Sequence, residues 1–240
     1  MSINCIIIYS KYEHERIKNV STLISNFDKV YEIEAIYPKY TRIPFLDKLL
    51  LLSKSRTNQS ILPSEIGVLL SHRKAWRYII EQEIDPNKHY LILESDSIIN
   101  DDFNLKKIYQ QIEQFFDLFF WGAWEGNVSI FNSTKKNILK EYNIGEPYIK
   151  SVYCTYGYSL NTTAAKLLLK RTQKISYPVD LFKKFINRLD LRIGAIKPEI
   201  ISNNQSFESS VRVTNLLNKM KHILTIRIFS LRNNLITYFN

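Results

Sequence analysis

The chain has 240 residues, a hydrophobic fraction of 45% and a formal net charge of +10. That length and apolar content suit one large folded domain and exclude wholesale disorder, and no apolar run reaches the ~18 residues of a membrane-spanning helix. The charge surplus favours a polyanionic partner, whether nucleic acid, nucleotide phosphates or an anionic membrane surface.

In chain order, "INCIIIYS" (3–10) is a continuous β-branched apolar run, the pattern of a strand buried on both faces. The start has no basic n-region and no small-residue cleavage site, so a secretory signal is not expected. Helical spacing follows at Ile17, Val20, Leu23, Ile24 and Phe27, and "VYEIEAI" (30–36) alternates as a second strand. This β-α-β opening predicts a parallel sheet. Residues 37–62, punctuated by Pro38 and Pro44, read as a long loop with a short helix near 45–52. Pro63-Ser64-Glu65 opens a helix. "HYLILES" is the next strand, and Asp101 and Asp102 mark the start of a helix carrying "LKKIYQQIEQFF". "LFFWGAW" and "YIKSVYCTYGYSLN" are strand-like. "TTAAKLLLKRTQ" is helical with Thr162 as its cap, "VDLFKKFINRL" is a further helix, and "LRIGAIKPEIIS" returns to strand. Cys5 and Cys154 show no metal-ligand spacing and are expected to be reduced and buried in a cytosolic protein.

The strand "YLILE" runs straight into Glu94-Ser95-Asp96. In open α/β sheets, ligands bind at the carboxyl ends of strands, and residues i and i+2 project to one side. Two carboxylates there repel unless a cation lies between them. A hard divalent ion with open positions for phosphate oxygens suits such a pair. The competing reading is an ordinary polar strand exit.

The segments "PSEIGVLLSHRKAWRYII", "YLILESDSII", "TYGYSLNTTAAKLLL", "YPVD" and "NNQSFESSV" occur in this order. Together they resemble the lipooligosaccharide glycosyltransferases of glycosyltransferase family 25, which include bacterial β-1,4-galactosyltransferases. The resemblance covers roughly residues 3–211. It implies an α/β, GT-A-like fold with a Rossmann-like, mostly parallel sheet flanked by helices. It also implies inverting, metal-dependent transfer of a hexose, most often galactose from UDP-galactose. Glu94 and Asp96 would hold Mn2+ or Mg2+. Ser95 stands where the family has the middle acid of "EDD", and Cys154-Thr155-Tyr156-Gly157-Tyr158 stands where it has "GTHAY".

Several residues carry two readings. Inversion needs a base on the acceptor hydroxyl. Asp180 of "YPVD" is that base, or else the cap of the helix after it; Glu125 and Glu208 are the other acids for the acceptor side. Arg16 matches the family's early "ER" segment and faces phosphate or uracil, or lies on a solvated helix face. Ser71, His72 and Arg73 match its "SH" helix and are assigned with Ser95 to the donor, against a packing role for His72. Trp121 and Trp124 form a sugar platform, or are core. Thr155, Tyr158, Glu208 and Ser209 are assigned to the acceptor side.

After Glu208 every charged residue is basic, so residues 212–240 read as a basic amphipathic tail on a domain of 1–211. Met220, Leu224, Ile228, Leu231, Leu235 and Tyr238 form one stripe, with Lys221, Arg227 and Arg232 beside it. This face is expected to meet an anionic membrane surface or to dock on protein. The reading is a peripheral enzyme at the inner face of the bacterial inner membrane, using a UDP-sugar and a glycolipid or oligosaccharide acceptor, with no nucleic acid. Its oligomeric state is not legible. The rivals are a two-carboxylate glycoside hydrolase, a nucleic-acid-binding protein, and a family member that binds nucleotide sugar without turnover.

Overall fold

The structure is a computed structural model that describes residues 2–82, 85–123, 125–204 and 216–239. In order, the elements are β1 (Asn4–Tyr9), α1 (His14–Ser25), β2 (Lys29–Glu34), α2 (Leu46–Thr57), α3 (Pro63–Glu81), β3 (Tyr90–Glu94), β4 (Ser97–Ile99) and α4 (Asp102–Ile112). They continue with β5 (Leu118–Phe120), β6 (Lys136–Ile138), β7 (Tyr142–Gly145), β8 (Gly157–Leu160), α5 (Thr162–Arg171), β9 (Ile193–Lys197), β10 (Ile201–Asn203) and α6 (Leu216–Phe239).

One eight-stranded sheet has the order β2-β1-β3-β8-β5-β9-β7-β6, and β4 and β10 form a small antiparallel pair. The parallel arrangement expected from the opening β-α-β unit holds for β2, β1 and β3, and recurs between β5 and β9. Elsewhere the sheet is antiparallel: β8 opposes both β3 and β5, and β7 opposes β9 and β6. The fold is therefore α/β with a mixed sheet.

Strand periodicity explains the continuous apolar runs. Ile6, Ile8, Ile92, Phe120 and Tyr158 face α3 and α5, in a core with Trp76, Ile79 and Leu168. Their neighbours Cys5, Ile7, Leu91, Leu93 and Phe119 face α1 and α4, in a core with Val20, Leu23 and Ile108. Alternate residues point to opposite faces, so strands covered by helices on both sides are apolar at nearly every position. Gly67 lets α3 pack tightly on the end of β2, because a Cβ there would sit 2.4 Å from the Ile36 carbonyl oxygen.

Helix ends follow local chemistry. Pro63 starts α3, and the Glu65 carboxylate accepts from the Leu62 amide at 2.8 Å. Asp101 caps α4 through the Asn104 amide. Two expectations are corrected. Asn161, not Thr162, caps α5, its side chain accepting from the Ala164 amide while Thr162 is the first helical residue. The segment after Asp180 makes only a 3-10 turn at Phe182–Lys184, closed by the Lys184 and Phe185 amides on the Leu181 and Phe182 carbonyls, and the Phe185 carbonyl accepts from Arg171 of α5 at 3.1 Å rather than from a next helical turn. The region expected as mostly loop carries the longer α2, which Ser53 ties to the Ser176 carbonyl.

Candidate active site

The parallel register brings the carboxyl ends of β1 and β3 to one edge, with Ile8 beside Glu94. A cavity of about 350 Å³ opens there, between the start of α1, the first half of α3 and the stretch ending at Asp180. Glu13, Arg16, Glu94, Asp96, Thr155 and Asp180 all line it.

Glu94 ends β3, and Asp96 lies in the tight turn to β4 rather than on the strand. The turn is held from several sides. Asn19 donates to the Ser95 and Ser97 carbonyls at 2.8 and 2.9 Å, and the Ser97 hydroxyl accepts from the Glu94 amide at 2.9 Å. The Asn204 amide donates to the Asp96 carbonyl at 2.7 Å. Neither Asn19 nor Ser97 was singled out by the sequence, since a side chain that binds backbone leaves no charge or periodicity signal.

The two carboxylates are unequal. The Oε1 of Glu94 is 3.0 Å from His72 Nε2 and also accepts from the Thr155 hydroxyl. His72 is fully buried, with Nδ1 2.8 Å from the Tyr158 hydroxyl, which also accepts from Trp76 Nε1 at 2.9 Å. The ionised Glu94 carboxylate can only accept, so the Nε2 of His72 carries a proton toward it. Burial opposes ionisation of Glu94, but His72, Thr155 and Arg16 outweigh it and hold the carboxyl below its ordinary range.

Asp96 has the opposite balance. Burial and the charge of Glu94 push it up to about 6, against the pull of Arg16. Arg16 Nη1 is 3.2 Å from Asp96 Oδ2 and 3.1 Å from the Ser95 hydroxyl. Asp96 Oδ1 is buried without a hydrogen-bond partner among the described residues. A buried carboxylate oxygen with an open lone pair, next to a second acid, fits a hard divalent cation whose other positions go to water or phosphate. Among the described residues no cluster of three or more acidic, His or Cys side chains is assembled, so such an ion would depend on its substrate for ligands.

This balance gives a testable pH dependence. The folded protein keeps a proton on Asp96 that the unfolded chain, near the ordinary value of 3.8, has released. The contribution is favourable at low pH and is lost as pH rises from about 4 to about 6, by at most about 3 kcal/mol. Asp96→Asn is expected to flatten that limb, as measured by denaturant unfolding of the ion-free protein at a series of pH values. An unchanged slope would place the shift elsewhere.

Cys154 has φ of +71°, a left-handed backbone that turns the chain into Thr155. An L side chain there costs about 1–2 kcal/mol that glycine avoids. Cys154→Gly is expected to stabilise the protein by about 1 kcal/mol, raising the melting temperature by about 2–4 °C in a scan. A lowered value would mean that the thiol's contacts outweigh the strain. Both cysteines are free thiols.

Other residues singled out in the sequence lie elsewhere or do other work. Trp121 is fully buried on the α1/α4 face, stacked on Tyr109 at 5.6 Å and donating to Ser159, so it is core and not a sugar platform. Tyr158 is likewise buried and reaches the site only through His72. Arg73 ties α3 to α5 through the Leu169 carbonyl and Thr172 hydroxyl, away from the cavity. Ser71 lines the cavity, but its hydroxyl accepts from the Ile36 amide and donates to the Gly67 carbonyl, each at 2.8 Å. Glu125 does not line the cavity, whereas Glu13 does. Trp124, Glu208 and Ser209 lie outside the described residues.

The chain matches the family model described as glycosyltransferase family 25 (LPS biosynthesis protein) over residues 6–183, which takes in every element lining the cavity up to Asp180. No curated protein matches it.

Proposed function

The chain belongs to glycosyltransferase family 25 and is a glycosyltransferase with a sugar donor and an acceptor; from that premise we propose inverting, metal-dependent transfer of a hexose from a UDP-sugar to a lipooligosaccharide acceptor. Galactose is the hexose and the fold is of the GT-A kind in this reading. The protein works at the inner face of the bacterial inner membrane.

The observation that carries it is the buried Oδ1 of Asp96, which has no hydrogen-bond partner among the described residues, beside Glu94 and Arg16 at the carboxyl edge of β1 and β3. Asp96 with Glu94 would hold Mn2+ or Mg2+, and such an ion would supply positive charge against that growing on the leaving diphosphate. Glu94 supplies a fixed charge, since His72 and Thr155 lock its carboxylate. Arg16 reaches a phosphate oxygen without moving far from Ser95, its guanidinium being permanently charged. Asp180 takes the proton of the acceptor hydroxyl as that oxygen attacks the anomeric carbon opposite the diphosphate. The carbon–oxygen bond to the diphosphate breaks, and UDP leaves with the bonding electrons.

The test is a donor screen: purified protein, several UDP-hexoses, manganese and a lipooligosaccharide acceptor, with released UDP as the readout. Release from one donor supports the reading. UDP binding without release would make the chain a family member that binds without turnover, a reading that Ser95 in place of the middle acid keeps in view. Absence of UDP binding would reject both.

A further inference from the structure

α6 is docked the wrong way round for a helix that serves the protein's own core. Its polar residues Asn233 and Thr237 are each 4% exposed, and the Ser129 hydroxyl donates to Asn234 Oδ1 at 3.0 Å. On the far side, Ile228, Leu231, Leu235 and Tyr238 are 58–70% exposed. At roughly 100° per residue these four fall within one quadrant, opposite Asn233 and Thr237. An amphipathic helix packed on protein buries its apolar stripe; this one presents the stripe outward.

A second exposed apolar residue is linked to the place where α6 packs through Arg188 and Phe131. Leu189 is 97% exposed, in a loop between Arg188 and Asp190. The Arg188 guanidinium lies 4.8 Å over the Phe131 ring, and Phe131 leads directly into the 3-10 turn Asn132–Thr134 against which α6 packs. The chain segment that carries Leu189 begins at Asp180, in the wall of the cavity.

We propose that the stripe of Ile228, Leu231, Leu235 and Tyr238, extended by Leu189, docks on the surface of an anionic lipid bilayer. Charge selects lipid over a second copy of the chain. By sequence, residues 216–239 hold four basic residues and no acidic one, and Arg232 is exposed beside the stripe, so two copies of this helix pressed together would oppose like charges. Anionic headgroups complement them, while the apolar side chains enter the acyl boundary. No helix among the described residues is long and apolar enough to cross a membrane, so the contact is one of lying on the surface. The inference gives a physical surface to the membrane location proposed above. It rests on side-chain exposure and not on the transfer chemistry.

The experiment is flotation of the full chain, without nucleotide, on phosphatidylcholine vesicles and on vesicles with about a third phosphatidylglycerol. Wild type is expected on the anionic vesicles only. The double variant Leu231→Ser/Leu235→Ser should lose about tenfold or more in affinity, and Leu189→Ser severalfold. Because these side chains are exposed, melting temperatures should not move. Arg232→Glu, which leaves the stripe intact, should also weaken binding. Equal binding by wild type and the double variant would overturn the proposal, as would absence of binding by wild type. So would a wild-type dimer in solution that the double variant converts to monomers, since the stripe would then belong to a second copy.

Discussion

Asp96→Ala is expected to lower UDP-sugar turnover by at least ~100-fold, because a lost metal ligand removes several kcal/mol of leaving-group stabilisation. The two carboxylates do not carry this equally. Glu94 already accepts from His72 and Thr155, so its removal would also leave a buried imidazole N–H and a hydroxyl short of a partner. Asp96 has Oδ1 with no partner among the described residues and shares Oδ2 with Arg16. Its removal leaves Arg16 with Ser95 and Glu13 and relieves repulsion on Glu94, so folding should survive while activity does not. The measurement is released UDP under saturating donor, with and without manganese, beside a melting curve. Excess EDTA should abolish wild-type activity, with manganese or magnesium restoring it. Full activity in EDTA would remove the ion from the mechanism, and Arg16 would then be the counter-charge at that edge.

The parts of the fold that the sequence displayed are those with one-dimensional periodicity. "INCIIIYS" and "YLILE" are apolar without alternation because helices cover both sheet faces, and α1, α3 and α5 show their stripes directly. The antiparallel course of β8 between β3 and β5 was not legible, since strand direction depends on connections and not on the strand's own residues. At the site, the acidic pair was visible as two charges ending a buried strand. The asymmetry between them was not. It arises from His72, Thr155 and Arg16, which come from α3, the approach to β8 and α1 and meet only in three dimensions. Trp121 shows the same limit from the other side. An aromatic at a strand end looks alike in sequence whether it faces a cleft or a core, and here the sheet turns it onto Tyr109. Cys154 stands where the resembled family has glycine, and its positive φ gives that glycine a physical reason.

Asp180→Asn separates chemistry from architecture at the remaining carboxylate. The sequence left two roles for Asp180, general base or helix cap, and the capping role loses its object because only a 3-10 turn follows at Phe182–Lys184. What remains is a half-buried carboxylate in the cavity wall, in a stretch whose φ is fixed by Pro178 two residues earlier. Asn keeps the size of the side chain and can still accept hydrogen bonds through its carbonyl oxygen, but it cannot take a proton. A positioned base contributes roughly 10²- to 10⁴-fold, so turnover should fall by about that factor. UDP affinity and melting temperature should stay near wild type, since neither needs the proton acceptor. A rate near wild type would remove the base assignment. Glu13 would then be the next carboxylate to change, because it lines the same cavity, although Arg16 lies 3.6 Å from it and competes for its charge. A fall in both rate and melting temperature would instead assign Asp180 to holding the 177–185 segment in place, and Asp180→Ala would then be no slower than Asp180→Asn once both are corrected for folded fraction.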